Sequence, residues 1–168
     1  NHDCMQARQQ NQMRGDTCYE WQARKALSRD FLGPTIAGFI YPDLIQRFLP
    51  FPINALPDRA EALERSWEIG WYDAYTQPKS KGLQAPFTSL WDATYSQNNQ
   101  WLPALLLNGT HGETGKRLVM TNLDVTPDIF NDVIGLFNII DTDIYTSTAA
   151  HNSARFPYIS PPGTLACK

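Results

Sequence analysis

The chain has 168 residues, a formal net charge of −3 at pH 7 and a sequence pI near 5.5. Its length can supply one sizeable core, and its 42% hydrophobic residues describe a folded protein, not a disordered one. The acidic balance, with no basic run or basic–aromatic ladder, argues against a nucleic-acid partner.

The amino-terminal 22 residues are rich in Gln, Arg and Asn, and they predict a solvated helix or an ordered loop. Cys4, Cys18 and Cys167 lack the spacing of a zinc site. A Cys4–Cys18 bridge is one option, but the odd count leaves the pairing and the redox compartment open. Because the chain opens without Met or a signal peptide, we expect it to be an internal piece of a longer protein.

The stretch from Phe31 to Phe51 carries a heavy load of aromatic and aliphatic residues, interrupted by four prolines. The prolines, with Asp43 and Arg47, make it too broken and too polar for a transmembrane helix. We favour short helices packed on a core. The alternative is an interfacial segment whose apolar face contacts lipid or an acyl chain.

A helix is predicted from Asp58, which forms the capping-box pattern with Glu61. It should end near Tyr75, before Pro78. One face of this helix carries its apolar residues at helical spacing, and we expect its Trp pair in the core: Ala60, Leu63, Trp67, Gly70, Trp71 and Ala74.

The stretch Trp101–Asn122 predicts two strands. Ala104–Leu107 has the pattern of a strand buried on both faces, Asn108-Gly109 should stop it, and Arg117–Thr121 should form the second strand. The polar loop between them is either a ligand-binding loop at the end of a buried strand or a well-bonded turn.

The remaining elements follow from local signals. Phe87–Tyr95 predicts a helical turn or two with Leu90 and Trp91 inward. Thr126-Pro127-Asp128 predicts the start of a helix whose apolar face runs to Phe137. Thr146–Ala154 should be a short helix. The stretch Phe156–Gly163 should be extended because it contains three prolines. No internal repeat or second domain is apparent.

The residues alone identify no catalytic group. There is no Gly-x-Ser-x-Gly elbow and no phosphate-cradling glycine loop, and the three histidines are far apart. His111 near Glu113 fits either acid–base chemistry or a solvent-facing loop. Asp141 and Asp143 fit either paired carboxylates or the end of a helix. We predict neither a metal nor a cofactor.

Two longer motifs point to a family. Leu102–Arg117 (LPALLLNGTHGETGKR) resembles the strand-and-loop signature of bacterial patatin-like phospholipases. Asp143–Gly163 (DIYTSTAAHNSARFPYISPPG) is similar to the helix and extended segment before that family's catalytic aspartate. The stretches RDFL, FIYPDLIQRFLP and DRAEALERSWE, between residues 29 and 68, resemble its middle region. The resemblance covers about residues 28–163.

The resemblance implies a three-layer α/β sandwich and a serine–aspartate dyad that hydrolyses lipid acyl esters without a cofactor. The family's serine sits in Gly-x-Ser-x-Gly, its oxyanion donors in a glycine-rich loop and its aspartate in Asp-Gly-Gly or Asp-Gly-Ala. This chain has none of the three. We therefore expect residues 1–168 to be one incomplete segment of the hydrolase domain, between elbow and aspartate and inactive alone.

The resemblance assigns a site-supporting role, but no catalytic one, to six positions: Asn108, Thr110, Ser153, Arg155, Phe156 and Pro157. It implies a lipid or acyl-ester substrate, the rest of the hydrolase domain as a partner, and a bacterial protein peripheral to a membrane that it contacts through Phe31–Phe51. The alternative function is a non-catalytic, lipid-facing or protein-binding module that uses the same Phe31–Phe51 surface.

Overall fold

The computed structural model describes residues 5, 8–10, 17–50, 59–75, 82–92, 102–126, 128–156 and 160–164. The chain divides into two compact units, Asn1–Leu83 and Gln84–Lys168. Helices dominate the described part of the first unit, and the second contains a three-stranded mixed sheet. The prediction of an α/β protein is therefore confirmed, whereas the three-layer arrangement stays a prediction.

The first unit contains helices α1 (Cys18–Leu27), α2 (Leu32–Gly38), α3 (Leu44–Gln46) and α4 (Arg59–Ala74), with a π-helical turn at Phe39–Asp43. None of the helices formed by the described residues has both the length and the apolar composition of a membrane span. Cys18 is disulfide-bonded, and since the two other cysteines lie outside the described residues, the pairing stays open.

Helix α1 begins with a capping box that the sequence analysis missed. The Glu20 N–H donates to the Thr17 hydroxyl oxygen at 3.3 Å, and the Thr17 N–H donates to the Glu20 carboxylate at 2.7 Å. The hydrogen bond from the Thr17 backbone holds the pKa of the Glu20 carboxyl below its usual value. This pair explains why a helix forms in a polar stretch with few apolar residues.

Helix α4 packs against α1 and α2 through small residues. A Cβ atom built on Gly70 would lie 3.0 Å from the Phe31 ring and 3.1 Å from the Ala26 carbonyl oxygen. The predicted helix is present, although Asp58, its predicted cap, lies outside the described residues. The expectation of a Trp pair in the core is wrong for Trp71, which is 37% exposed, because the close helix contact has room only for small side chains.

The segment around α2 inverts the usual arrangement of an amphipathic helix. The buried residues of helix α2 itself are Thr35 and Gly38, and a Cβ built on Gly38 would lie 3.1 Å from the Arg59 Cα. Six of the segment's large apolar side chains, which we name the apolar stripe, are between 43% and 79% exposed: Leu32, Ile36, Phe39, Ile40, Leu44 and Phe48. The favoured short helices are present, but these side chains do not pack on a core.

The second unit contains a 3₁₀ turn (Thr88–Trp91), strands β1 (Leu107–Thr110), β2 (Arg117–Met120) and β3 (Val133–Gly135), and helices α5 (Leu136–Ile139) and α6 (Thr146–Ala154). A further 3₁₀ turn spans Gly82–Gln84. The sheet order is β1-β2-β3, with β1 antiparallel and β3 parallel to β2. The predicted second strand and the predicted helix at Thr146–Ala154 are both present.

The first predicted strand is shifted along the chain. β1 begins at Leu107, so Asn108 and Gly109 lie inside the strand and do not stop it. Its side chains alternate between half-buried and exposed, so the strand is not buried on both faces. The reason is pairing with β2, in which Gly109 lies opposite Leu118 and the ladder satisfies the backbone of a locally weak sequence.

The prediction of a helix that starts at Thr126 is wrong. The Thr126 carbonyl accepts hydrogen bonds from the Ile129 and Phe130 amides, so one turn forms. Asp132 then takes a φ of 60°, which ends any helix, and Val133–Gly135 pairs with β2 as a parallel strand. The apolar residues that match a helical face therefore divide between β3 and α5.

The core of the second unit surrounds Phe87, a fully buried residue that the sequence analysis did not place inward. It packs with five buried residues from β2, α5, α6 and the connection between the two helices: Met120, Leu136, Ile140, Ile144 and Ala149. The Asp143 carboxylate accepts hydrogen bonds from the Thr88 amide at 3.0 Å and the Thr88 hydroxyl at 2.5 Å. Asp143 therefore holds the 3₁₀ turn to the start of α6.

Gly70→Val tests the close packing of α4. The new side chain must displace the Phe31 ring or the Ala26 backbone, so we expect a loss of about 1–3 kcal/mol in unfolding free energy. Gly112→Val is the control, because a Cβ at Gly112 meets no atom within 4 Å and should cost at most about 0.5 kcal/mol. Equal midpoints of urea denaturation for the two variants would contradict this packing.

Candidate functional site

A pocket of about 820 Å³ opens in the second unit where β1 ends and β2 and β3 begin. Thr110, Arg117 and Val133 lie side by side at this edge because the three strands are in register there. The sheet edge and the end of α6 supply the lining residues: Asn108, Gly109, Thr110, Gly115, Lys116, Arg117, Asn131, Asp132, Val133, Asn152, Ser153 and Arg155.

Four of the six predicted site-supporting residues line this one pocket: Asn108, Thr110, Ser153 and Arg155. Phe156 is not among the lining residues and is 64% exposed, and Pro157 lies outside the described residues. The pocket thus brings together residues of β1 and of the end of α6, which are more than 40 positions apart in sequence. They meet because α6 packs against β1. Their predicted supporting role stays a prediction.

The alternation of β1 supplies polar side chains to the pocket. Leu107 is half-buried and packs against the core, whereas Asn108 and Thr110 are exposed and line the pocket with the half-buried Gly109. Successive side chains of a strand point to opposite faces, so one short strand supports the core and the pocket wall at once.

Arg155 holds the chain that follows α6. Its Nε donates to the Asn152 side-chain oxygen at 2.7 Å, and its Nη1 donates to the Pro161 carbonyl. A Cβ on Gly163 would lie 2.8 Å from Nη2, so the chain passes close to the guanidinium. This geometry positions both the Arg155 head and the segment 160–164.

His151, for which the sequence predicts no role, is buried and contacts a serine in the fold. It is 1% exposed, and its Nε2 lies 3.1 Å from the Ser160 hydroxyl oxygen. A His–Ser contact is part of many nucleophilic sites, but this imidazole is too buried to reach a substrate in the pocket. Its nine-residue separation from Ser160 gives no local signal, since the contact depends on how the chain returns after α6.

The loop between β1 and β2 is a well-bonded turn. The His111 amide donates to the Lys116 carbonyl at 2.9 Å, the Gly115 amide donates to the His111 carbonyl at 2.8 Å, and the His111 Nδ1 lies 2.9 Å from the Thr114 hydroxyl oxygen. Gly115 has a φ of 68°, which favours glycine. The loop is therefore a well-bonded turn, and its Gly115 and Lys116 also line the larger pocket, so the two interpretations do not exclude each other.

A second cavity, of about 300 Å³, adjoins this turn. Its apolar lining comes from β2 and from α5 with the residue after it, namely Leu118, Leu136, Ile139 and Ile140. His111, Glu113 and Thr164 contribute polar groups, and Thr110 lines both this cavity and the larger pocket. A polar pocket and a largely apolar cavity thus share one lining residue.

The charges of the larger pocket are mainly positive. Lys116, Arg117 and Arg155 line it together with one carboxylate, Asp132, whose oxygen lies 3.1 Å from the Lys116 ammonium. Among the described residues, no group of three or more His, Cys, Asp or Glu side chains could hold a metal ion. The pocket therefore suits an anionic or polar ligand better than a cation.

Comparisons of the chain with protein-family models, with curated proteins and with solved structures find no match. The resemblance to patatin-like phospholipases therefore stays a prediction from the sequence motifs.

Arg155→Lys tests the link after α6. The lysine ammonium is one compact group without the planar fork of the guanidinium, so it cannot reach both acceptors in the same geometry. We expect faster amide exchange at residues 160–164 and a loss of about 1.5–3 kcal/mol in unfolding free energy. Lys116→Met, which removes an exposed ion pair, should cost at most about 1 kcal/mol and leave that exchange unchanged. Unchanged exchange in Arg155→Lys would refute the link.

Proposed function

We propose that this chain is part of a patatin-like lipid acyl hydrolase and forms the wall of its substrate pocket, with the serine–aspartate dyad outside residues 1–168. The two motifs quoted above support this proposal. Their residues, from Leu102–Arg117 and from Asp143–Gly163, line a common pocket although they are far apart in sequence.

The observation that carries the proposal is that a polar pocket and a largely apolar cavity share the lining residue Thr110. A lipid ester has a polar head and an apolar chain, and two spaces of opposite character on either side of one residue would suit such a substrate. The larger pocket would take the head group and the smaller cavity the first part of the acyl chain.

The chemistry itself needs groups from elsewhere. Acyl transfer requires an activated nucleophile and donors for the developing oxyanion. Ser153 lines the pocket, but His151, two residues before it, is buried and contacts Ser160 instead. The part of the chain that the structure describes thus offers a pocket wall without a nucleophile–base pair facing it.

Activity measurements test this proposal. The 168-residue chain should hydrolyse a short p-nitrophenyl ester at the background rate and should not react with a fluorophosphonate probe. The reading frame extended in both directions should encode Gly-x-Ser-x-Gly before Asn1 and Asp-Gly-Gly or Asp-Gly-Ala after Lys168. Its product should hydrolyse the ester and carry the probe on the elbow serine.

Two outcomes would refute the proposal. One is probe labelling of a serine within residues 1–168 that disappears when that serine is changed to alanine. The other is an extended reading frame without the serine elbow. Thr110→Val in the extended protein should lower kcat/KM for a lipid ester, and Thr148→Val is the control because Thr148 does not line the pocket.

A second candidate function, contact with a membrane surface, is favoured by the apolar stripe. Four of its members, Leu32, Ile36, Ile40 and Leu44, recur every four residues. In an α-helix such a row turns by about 40° at each step. The π-helical turn, closed by the Leu44 amide donating to the Phe39 carbonyl, rotates less per residue and keeps the row on one side.

The composition of this segment favours a lipid surface over a charged partner. Between residues 31 and 50 the only charged residues are Asp43 and Arg47, so attraction would come from apolar burial. The large side chains of the stripe are exposed, whereas the buried residues of α2 are small. Lipid accepts projecting apolar side chains without a preformed complementary groove.

Phe48→Asp tests the stripe. If Phe48 is buried in lipid, losing its side chain should weaken binding to phosphatidylcholine vesicles about 10- to 100-fold. The melting temperature should change little, because Phe48 is exposed in the folded protein. Leu27→Asp is the control, since Leu27 is 73% exposed on α1 but is not part of the stripe. Vesicle binding unaffected by Phe48→Asp, or a solution dimer that this change dissociates, would overturn the membrane contact.

A further inference from the structure

The larger pocket concentrates positive charge in an acidic chain. Among the described residues that line it, Lys116, Arg117 and Arg155 are cationic and Asp132 is the only carboxylate. This described lining carries a formal charge of +2, whereas the whole chain carries −3. A positive pocket in a negative protein raises the local concentration of an anionic ligand.

The Arg155 guanidinium is held in place before any ligand arrives. Its hydrogen bonds to Asn152 and to the Pro161 carbonyl occupy two of its five N–H donors and fix its plane. The other donors can serve an oxygen anion at no further cost in side-chain ordering. Arginine forks of this kind match the geometry of phosphate oxygens.

The Lys116–Asp132 pair is weak enough to exchange partners. Its side chains are 50% and 71% exposed, and solvent screens ion pairs of this kind. A dianion in the pocket would offer Lys116 a stronger partner than Asp132. Four neutral side chains of the lining can donate further hydrogen bonds to anionic oxygens: Asn108, Thr110, Asn131 and Ser153.

We propose that this pocket binds a phosphate group, through Arg117 and Arg155 with help from Lys116, and that the phosphate belongs to a lipid head group. The lipid source rests on the proposed function and on the apolar cavity that shares Thr110 with the pocket. An amphipathic molecule with its phosphate in the pocket would reach the leucines and isoleucines of that cavity past Thr110.

Calorimetric titration of the 168-residue chain tests this site with three probes: inorganic phosphate, glycerol 3-phosphate and monomeric dihexanoyl phosphatidic acid. We expect all three to compete for one site, with the phosphatidic acid binding at least tenfold more tightly than glycerol 3-phosphate. Equal affinity for all three would overturn the lipid source, and binding of none would overturn the site.

Three variants assign the residues. Arg117→Gln should weaken phosphatidic acid binding about 10- to 100-fold, because it removes a charge-assisted contact. Asp132→Asn should tighten binding severalfold, since asparagine tolerates the positive φ while the competing carboxylate is lost. Arg65→Gln, an exposed cation on α4 outside the pocket, should change nothing. Shifts of Arg117→Gln and Asp132→Asn in the same direction would overturn the assignment.

Phosphate binding and ester hydrolysis are measured separately, so a failure of the phosphate site can be told apart from a failure of the proposed hydrolase function. Phosphatidic acid binding without ester hydrolysis by the extended reading frame would keep the site and remove the hydrolase. Hydrolysis without phosphate binding by the 168-residue chain would keep the hydrolase and remove this site.

Discussion

The second unit depends on the packing of α6 against β1. The buried face of α6 is small at Ser147 and Ala149, so the helix can approach the strand closely. Asp143 fixes the start of the helix to the 3₁₀ turn at Thr88–Trp91, and Arg155 fixes the chain beyond its end. The pocket wall is assembled by these contacts, because its two halves are distant in sequence.

A different constraint governs the first unit, where glycine contacts set the distance between helices. At Gly70 and Gly38 the neighbouring backbone comes so close that larger side chains have no room inside. The large apolar residues of the α2 region are therefore displaced to the outer side, where they form the apolar stripe. An exposed apolar surface of this extent is typical of a segment that meets lipid or another protein.

Both units thus combine polar and apolar surfaces in ways that suit amphipathic ligands. In the second unit a cationic pocket and a largely apolar cavity share the lining residue Thr110. In the first, the stretch between residues 31 and 50 that carries the apolar stripe has only two charged residues in its sequence, Asp43 and Arg47. Lipid binding, which we propose above, would account for both features.

The sequence by itself determined the elements whose signals are local. Helical spacing specifies α4, small residues and flanking signals specify α6, and a β-rich run specifies β2. The tertiary structure alone decided the position of β1, the strand β3 within a helix-like pattern, and the contact of His151 with Ser160. These depend on backbone pairing and on chain return between distant residues, whose energies outweigh the low strand propensity of Gly109 and the helical spacing of the apolar residues around Val133. Exposure of the apolar stripe was likewise undetermined, since a sequence pattern shows which residues share a face but not what covers it.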